Sequence, residues 1–291
     1  MVKLESITEH VAVDTMIDSG TRSCVLGGIA LENFSIAIES GDSLEVGNGL
    51  RKELESYFKL PVKYLFLTHT HSDHRNGKDA FNDATLIASK QCIENMPKNI
   101  SFKRWSLETF EKNYTLKDNE QILEFYRVGG HSIGFSVAYY PNECVLFAGD
   151  LLITEPINFG LPFMGFYQNK PRRTGNPEEY LTAFNKFKKM NIKVIVPGHG
   201  NVIHNPQEYL DEQISFHKSL KSLFVSAIEK GKGIEEIELP KLKPIERAYE
   251  IIESESKKSY ALRFLDNYLN WIKKSFYNYY SGIFHKVEEE V

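Results

Sequence analysis

The sequence predicts a mixed α/β protein, with a strand-rich body over residues 1–206 and a helical C-terminal extension over residues 207–291. Two observations predict this division. Short apolar runs of strand length, each ended by turn residues, recur through the body. Beyond Pro206 the apolar residues recur at helical spacing instead.

The strand-like runs of the body share one pattern. Each is a short apolar run that ends at Gly, Pro or a histidine cluster, as buried strands do. The runs are Phe34–Ile38, Val62–Leu67, Leu123–Val128, Cys144–Phe147 and Val194–Val196. We therefore expect buried strands whose C-terminal ends all open into tight turns.

The apolar spacing in the C-terminal extension predicts two long helices. One covers Gln207–Glu229, and the last runs through about Ala261–Tyr280, with Pro240 and Pro244 breaking the pattern between them. His217 lies on the apolar stripe of the first helix and is expected to be a core histidine with satisfied hydrogen bonds. The many aromatic residues of the last helix predict packing on the body, with a homodimer contact as the alternative.

The composition argues against several classes of partner and of structure. The formal net charge of -4 gives no general attraction to nucleic acid or to an anionic membrane. No stretch approaches the roughly 18 apolar residues of a membrane span. The three cysteines show no CxxC spacing, which argues against a disulfide framework. We expect a soluble, cytoplasmic protein that acts on a small molecule and has no nucleic-acid or membrane partner.

A histidine-rich segment, Thr68–Gly77 (THTHSDHRNG), follows the strand VKYLFL and contains the highest density of candidate metal ligands in the sequence. His69 and His71, two residues apart on extended chain, project to the same side and can reach one metal ion. Asp73 and His74 follow where the chain turns into a helix, and they can address a second metal. Imidazole and carboxylate are the ligands that zinc and related divalent ions prefer.

Three further polar residues follow other strands. His131 stands in Gly-Gly-His-Ser, Asp150 in Ala-Gly-Asp and His199 in Pro-Gly-His-Gly. Each is expected just beyond the C-terminal end of its strand, beside glycines that permit a close backbone approach. The repeated arrangement predicts that these side chains meet the histidine-rich segment at one edge of the sheets.

The elements HTHSDH, GGHS, AGD and PGHG, in this order and spacing, resemble the metallo-β-lactamase superfamily over residues of about 5 to 205. The resemblance implies a four-layer αββα sandwich with metal ions at one edge. It also implies a complete ligand set: His69, His71 and His131 for a first metal, Asp73, His74 and His199 for a second, and Asp150 as the bridge. Upstream the chain has Glu39-Ser40-Gly41-Asp42 where the family often has Asp-Thr-Gly, so that Glu39 and Asp42 are both candidates for supporting the site.

The resemblance implies two divalent metal ions as cofactors. Zinc is the expected metal, and iron and manganese stay open because these ligands accept all three. Two such ions sharing one solvent molecule lower its pKa from 15.7 toward ~7, which supplies a metal-bridging hydroxide for attack. Asp150 would hold the metal pair together, and Asp73 would orient or shuttle the proton, which makes these two the expected catalytic residues.

The expected reaction is hydrolysis of a small ester-like substrate, a thioester, lactone or ester. Antibiotic-degrading relatives commonly use a cysteine ligand and lack the full HxHxDH element, which this chain has. The alternatives are a mononuclear iron dioxygenase of sulfur compounds, a nuclease or phosphodiesterase of the same fold, and a non-catalytic binding protein.

Substrate residues are sought in Ile157–Arg173, which closely follows Asp150. Its aromatic side chains could line an apolar pocket and its arginines could bind a carboxylate or phosphate. The candidates for substrate contact are Phe159, Phe163, Tyr167 and Arg172. The alternative is an ordinary loop whose aromatic residues fold back onto the core.

Overall fold

The structure is a computed structural model that describes residues 2–17, 24–155, 157–162, 176–254 and 258–282. Two β-sheets face each other, and helices cover the outer face of each sheet. The four-layer αββα sandwich with a helical C-terminal region is therefore confirmed.

The N-terminal sheet has seven strands in sequential order. Its first three strand pairs are antiparallel and its last three are parallel. The strands are β1 (Glu5–Ser6), β2 (Val11–Asp14), β3 (Leu26–Ala30), β4 (Ser35–Ile38), β5 (Val62–Phe66), β6 (Thr85–Ser89) and β7 (Ser106–Phe110).

The second sheet has five strands. The first three pairs are antiparallel, and the last strand adds in parallel to the fourth. The strands are β8 (Asn113–Asp118), β9 (Gln121–Arg127), β10 (Ser136–Tyr140), β11 (Val145–Ile153) and β12 (Val194–His199).

Seven α-helices accompany the sheets in the described part of the chain. They are α1 (Leu44–Phe58), α2 (Ser72–Arg75), α3 (Lys90–Glu94), α4 (Pro177–Phe187), α5 (Pro206–Glu229), α6 (Lys243–Ser254) and α7 (Lys258–Tyr280). None of the described helices is long and apolar enough to cross a bilayer.

The alternation of side chains along the strands assigns residues to the layers. Ile36 and Ile38 face the second sheet, whereas Ala37 between them faces α1. Between the sheets, the rings of Phe66 and Phe125 lie 4.7 Å apart. Burial of such apolar surface stabilises the fold by about 25 cal/mol per Å². The core between the sheets therefore fixes the positions of the strands, and with them the polar turns at the strand ends.

The C-terminal helices pack together with α4 on the outer face of the second sheet, in one continuous apolar cluster. The helices α5 and α7 match the two predicted helices to within three residues at each end. Helix α6 was not expected, because Pro244 reads as a helix breaker; here it occupies the first turn, where proline is tolerated. The division into two domains at residue 206 stays a prediction.

Candidate metal centre

The histidine-rich segment forms the turn from β5 into α2. His71 is the residue before α2 and has extended backbone, while Asp73 and His74 lie in that short helix, as predicted. The turn is fastened to the chain after β4: the Ser40 amide and hydroxyl both donate to the His74 carbonyl oxygen, at 2.8 and 2.9 Å. The strand edge and this fastening together fix where the segment's side chains point.

The other three predicted residues arrive from the second sheet. His131 stands in the turn between β9 and β10. Asp150 and His199 were expected beyond their strands, and this was wrong: Asp150 lies inside β11, and His199 is the last residue of β12. The pairing of β11 with β12 is irregular around Gly149, and this irregularity lets an internal strand residue face the site.

Close packing against Asp150 explains why position 198, within β12, is a glycine. A Cβ atom on Gly198 would lie 2.0 Å from Oδ1 of Asp150, far inside contact distance. Only glycine lets β12 pass this close to the carboxylate.

Asp150 divides its two oxygens between two groups of histidines. Oδ2 lies 3.3 Å from Nε2 of His131 and 3.7 Å from Nε2 of His69. Oδ1 lies 3.1 Å from Nε2 of His74 and 3.5 Å from Nε2 of His199. The carboxylate therefore stands between two clusters of ring nitrogens.

The remaining two residues complete the clusters. His71 joins the first through Nδ1, which is 3.0 Å from Nε2 of His131. Asp73 joins the second through Oδ2, which is 3.2 Å from Nε2 of His199 and 3.6 Å from Nε2 of His74. Within each cluster, candidate ligand atoms lie within 4.8 Å of one another; the clusters are His69/His71/His131/Asp150 and Asp73/His74/His199. All seven predicted residues are thus brought together.

The donor set fits divalent cations. His69 Nε2, His74 Nε2 and Asp150 Oδ1 are buried, yet none has a hydrogen-bond partner among the described residues. Buried polar atoms left without a partner are costly. Atoms that converge at contact distance without bonding one another are what a cation would bind, and imidazole with carboxylate suits zinc, iron or manganese.

The electrostatics of the site also suit cations. Burial holds the pKa of His69 well below its ordinary value, so that its imidazole is neutral, as a metal ligand must be. Burial also acts against a charge on His74, but the charges around it, Asp150 foremost and then Cys24, raise its pKa well above the ordinary value. His74 would therefore have to release a proton before it could bind a cation. Burial acts to raise the pKa of Asp73, but His74 and His199 lower it to about 2. The site therefore holds ionised carboxylates that favour positive charge between them.

Glu39, one of the two candidates that the sequence left open, lies against the site from outside the two clusters. It is buried, its Oε1 lies 3.2 Å from Nδ1 of His74, and it accepts a hydrogen bond from the Thr68 hydroxyl. A carboxylate on the far nitrogen of a ligand histidine orients the ring and makes it a better ligand.

Two tyrosines near the site were not foreseen. The Tyr180 hydroxyl lies 3.4 Å from Nδ1 of His131. Tyr268 of α7 accepts a hydrogen bond from the Asn158 amide at 3.2 Å, and burial together with the Asp150 charge raises its pKa well above the ordinary value. No local motif marks either residue, because helix packing determines where each one lies.

The predicted substrate residues are not placed. Phe159 belongs to a 3-10 turn, Ile157–Gly160, but its side chain lies outside what the structure describes. Phe163, Tyr167 and Arg172 also lie outside the described residues. His217 is buried as expected, and its Nδ1 lies 2.8 Å from the Gln213 carbonyl oxygen; its Nε2 has no hydrogen-bond partner among the described residues, so it is only half satisfied.

The chain is similar to proteins of one family. The family model described as the metallo-beta-lactamase superfamily matches residues 32–199. A Caenorhabditis elegans protein named beta-lactamase-like protein 2 homolog is 25% identical over 223 residues, which cover 74% of this chain and 68% of that protein.

Solved structures agree in fold. A metallo-beta-lactamase from Pontibacter korlensis is 21% identical, covers 75% of this chain and 99% of its own, and superposes with a TM-score of 0.56. One from Hirschia baltica is 18% identical, covers 74% and 97%, and has a TM-score of 0.53. The matched family model ends at His199, and the matched segment contains all seven residues of the two clusters. The chain belongs to the metallo-beta-lactamase superfamily.

Proposed function

We propose that the protein is a dinuclear metal-dependent hydrolase of small ester-like substrates, namely thioesters, lactones or esters. The observation that carries the proposal is the divided carboxylate of Asp150, with Oδ2 toward His131 and His69 and Oδ1 toward His74 and His199. A carboxylate placed in this way can bind two cations at once and offset their repulsion. The first metal would be held by His69, His71 and His131, the second by Asp73, His74 and His199.

Bound metals would supply water of lowered pKa and would polarise the substrate's carbonyl oxygen. The chain's own residues then determine how water and substrate are arranged. Asp73 is ionised, and its side chain is 30% exposed against 6% for Asp150. Its Oδ2 faces the histidines, so Oδ1 is the atom that we propose accepts a hydrogen bond from incoming water and orients it.

Zinc is the metal that we propose, because three histidines with carboxylates are a frequent zinc environment in hydrolases. The same ligands bind iron and manganese. Metal analysis of the purified protein therefore separates this proposal from a mononuclear iron dioxygenase.

The substrate class depends on the walls of the site, since the fold and the metals serve many reactions. We propose the segment Ile157–Arg173 as a wall of the site, because it closely follows Asp150 along the chain. Phe163 and Tyr167 stay proposed as apolar contacts of the substrate and Arg172 as an anion contact. An apolar wall favours a small, partly apolar ester-like molecule.

The proposal is tested with a panel of a thioester, a lactone, an aryl ester, a cephalosporin and a phosphodiester, assayed on metal-stripped and zinc-reloaded protein. We expect kcat/KM for the best ester-like compound to exceed that for the cephalosporin and the phosphodiester by about tenfold or more, the value of one well-buried apolar contact. Activity should vanish on stripping and return with zinc. A phosphodiester as best substrate would replace the proposal with a nuclease, and oxygen consumption with a persulfide would replace it with a dioxygenase.

A further inference from the structure

The first turn of α4 is hydrogen-bonded to the turn that contains His131. The Asn176 amide donates to the Gly130 carbonyl oxygen at 2.7 Å, and the Gly130 amide donates to Oε2 of Glu179 at 2.9 Å. Gly129 has a φ of +69°, and a Cβ atom there would lie 2.3 Å from the same Glu179 oxygen. The two turns are therefore bonded in both directions at a separation that admits no side chain.

Tyr180, the next residue of that helical turn, reaches the imidazole itself. It is fully buried, and its hydroxyl lies 3.4 Å from Nδ1 of His131. The opposite ring nitrogen, Nε2, faces Asp150 and His71. When the lone pair of Nε2 binds a cation, the ring proton is on Nδ1. The Nδ1–H group then donates a hydrogen bond to the Tyr180 oxygen.

The C-terminal helices α5 and α7 contact the first turn of α4. Oε1 of Glu178 lies 2.8 Å from Nζ of Lys221 in α5, and it accepts a hydrogen bond from the Tyr280 hydroxyl of α7 at 2.7 Å. The ring of His217 in α5 stacks on Tyr180, with centroids 5.2 Å apart and planes 24° apart. Helices α5 and α7 thus contact the two residues of α4 that flank Glu179.

We propose that the first turn of α4 is a positioning element for His131, with Tyr180 as its positioning residue, and that α5 and α7 support it. The C-terminal extension then contributes to metal binding although none of its described residues belongs to the two ligand clusters. This inference rests on the proposed metal site. Partners of ligand histidines typically change metal affinity by 10–100-fold when removed.

The test measures Zn²⁺ binding to metal-free protein by competition with a chromophoric chelator, and the absorption spectrum of the Co²⁺-loaded protein. Tyr180→Phe removes only the hydroxyl. Tyr139→Phe is the matched control, because Tyr139 belongs to the same apolar cluster but its hydroxyl donates to the Asn191 carbonyl oxygen instead. Tyr280→Phe tests the support from α7.

We expect Tyr180→Phe to weaken Zn²⁺ binding at one site by about 10–100-fold and to change the Co²⁺ spectrum. Tyr280→Phe should weaken it by about two- to tenfold, the range for one hydrogen bond, and Tyr139→Phe by less than about twofold. A Tyr180→Phe protein with wild-type affinity and spectrum would overturn the inference, and so would an equal loss in Tyr139→Phe. Wild-type protein that binds no Zn²⁺ would instead contradict the proposed function itself.

Discussion

At the scale of single residues, Asp150 is where the two ligand clusters meet. Each of its oxygens faces a different pair of histidines, and the side chain is almost fully buried. If two metals bind as proposed, removal of Asp150 would leave both ions exposed to their mutual repulsion, an effect that we expect from no other residue of the two clusters.

Asp150→Ala should abolish hydrolysis and weaken the binding of both metal ions. We expect the loss in affinity to exceed about 100-fold, because even outer partners of ligands cost 10–100-fold. The measurement is metal content after dialysis against a graded chelator. His204→Ala is the control, since His204 is exposed and belongs to neither cluster. If His204→Ala lost metal as readily, the ligand assignment would be wrong.

Gly198→Ala should damage the site by sterics alone. The added methyl group would overlap Oδ1 of Asp150, and overpacking of this kind destabilises by about 1–3 kcal/mol. Gly49→Ala makes the opposite prediction, because that Cβ in α1 meets only Val2 at 3.4 Å and alanine favours a helix by about 1 kcal/mol. Chemical denaturation of both variants checks the two signs, and equal changes would refute the account of Gly198.

At the scale of elements, the turn after β4 supports the turn after β5. Glu39 lies against His74 and Thr68, and Ser40 bonds the His74 carbonyl oxygen. The two turns therefore form one unit that fixes the orientation of His74.

Glu39→Gln should lower metal affinity at the His74 cluster by about 10–100-fold, because it removes the negative charge that lies 3.2 Å from Nδ1 of His74. Asp42→Asn, the other candidate of the same turn, should leave the affinity unchanged. Metal titration of both variants compares them directly. The reverse order of effects would transfer the supporting role to Asp42.

The sequence predicted what is local and missed what depends on packing. His69 and His71 were predictable from their two-residue spacing after a strand, and His131 and His199 from their glycine-flanked turns. The position of Asp150 inside β11 was missed, because a β-bulge leaves no periodic signal in so short a run. Tyr180 was missed because α4 approaches His131 only through the folding of the second sheet's outer layer.

At the scale of the whole molecule, the body and the C-terminal extension share one apolar cluster. Leu146 and Ile195 of the second sheet, Phe184 of α4, Phe224 of α5 and Phe276 of α7 all belong to it. Separating the extension would expose both sides of this cluster to water.

We therefore expect a single cooperative unfolding transition, in which far-ultraviolet circular dichroism and aromatic fluorescence change together. Shared burial of this kind links the stability of the parts, at about 25 cal/mol for each Å² of apolar surface. Two separated transitions in metal-free protein would favour a separate domain over residues 207–291.

The measurement that bears most directly on the central claim is the metal stoichiometry of the wild-type protein. Elemental analysis after mild reloading with zinc, set against protein concentration from amino-acid analysis, gives metal ions per chain. The divided carboxylate of Asp150 predicts about two, as in dinuclear hydrolytic sites. A stoichiometry of one, unchanged by excess zinc, would contradict it.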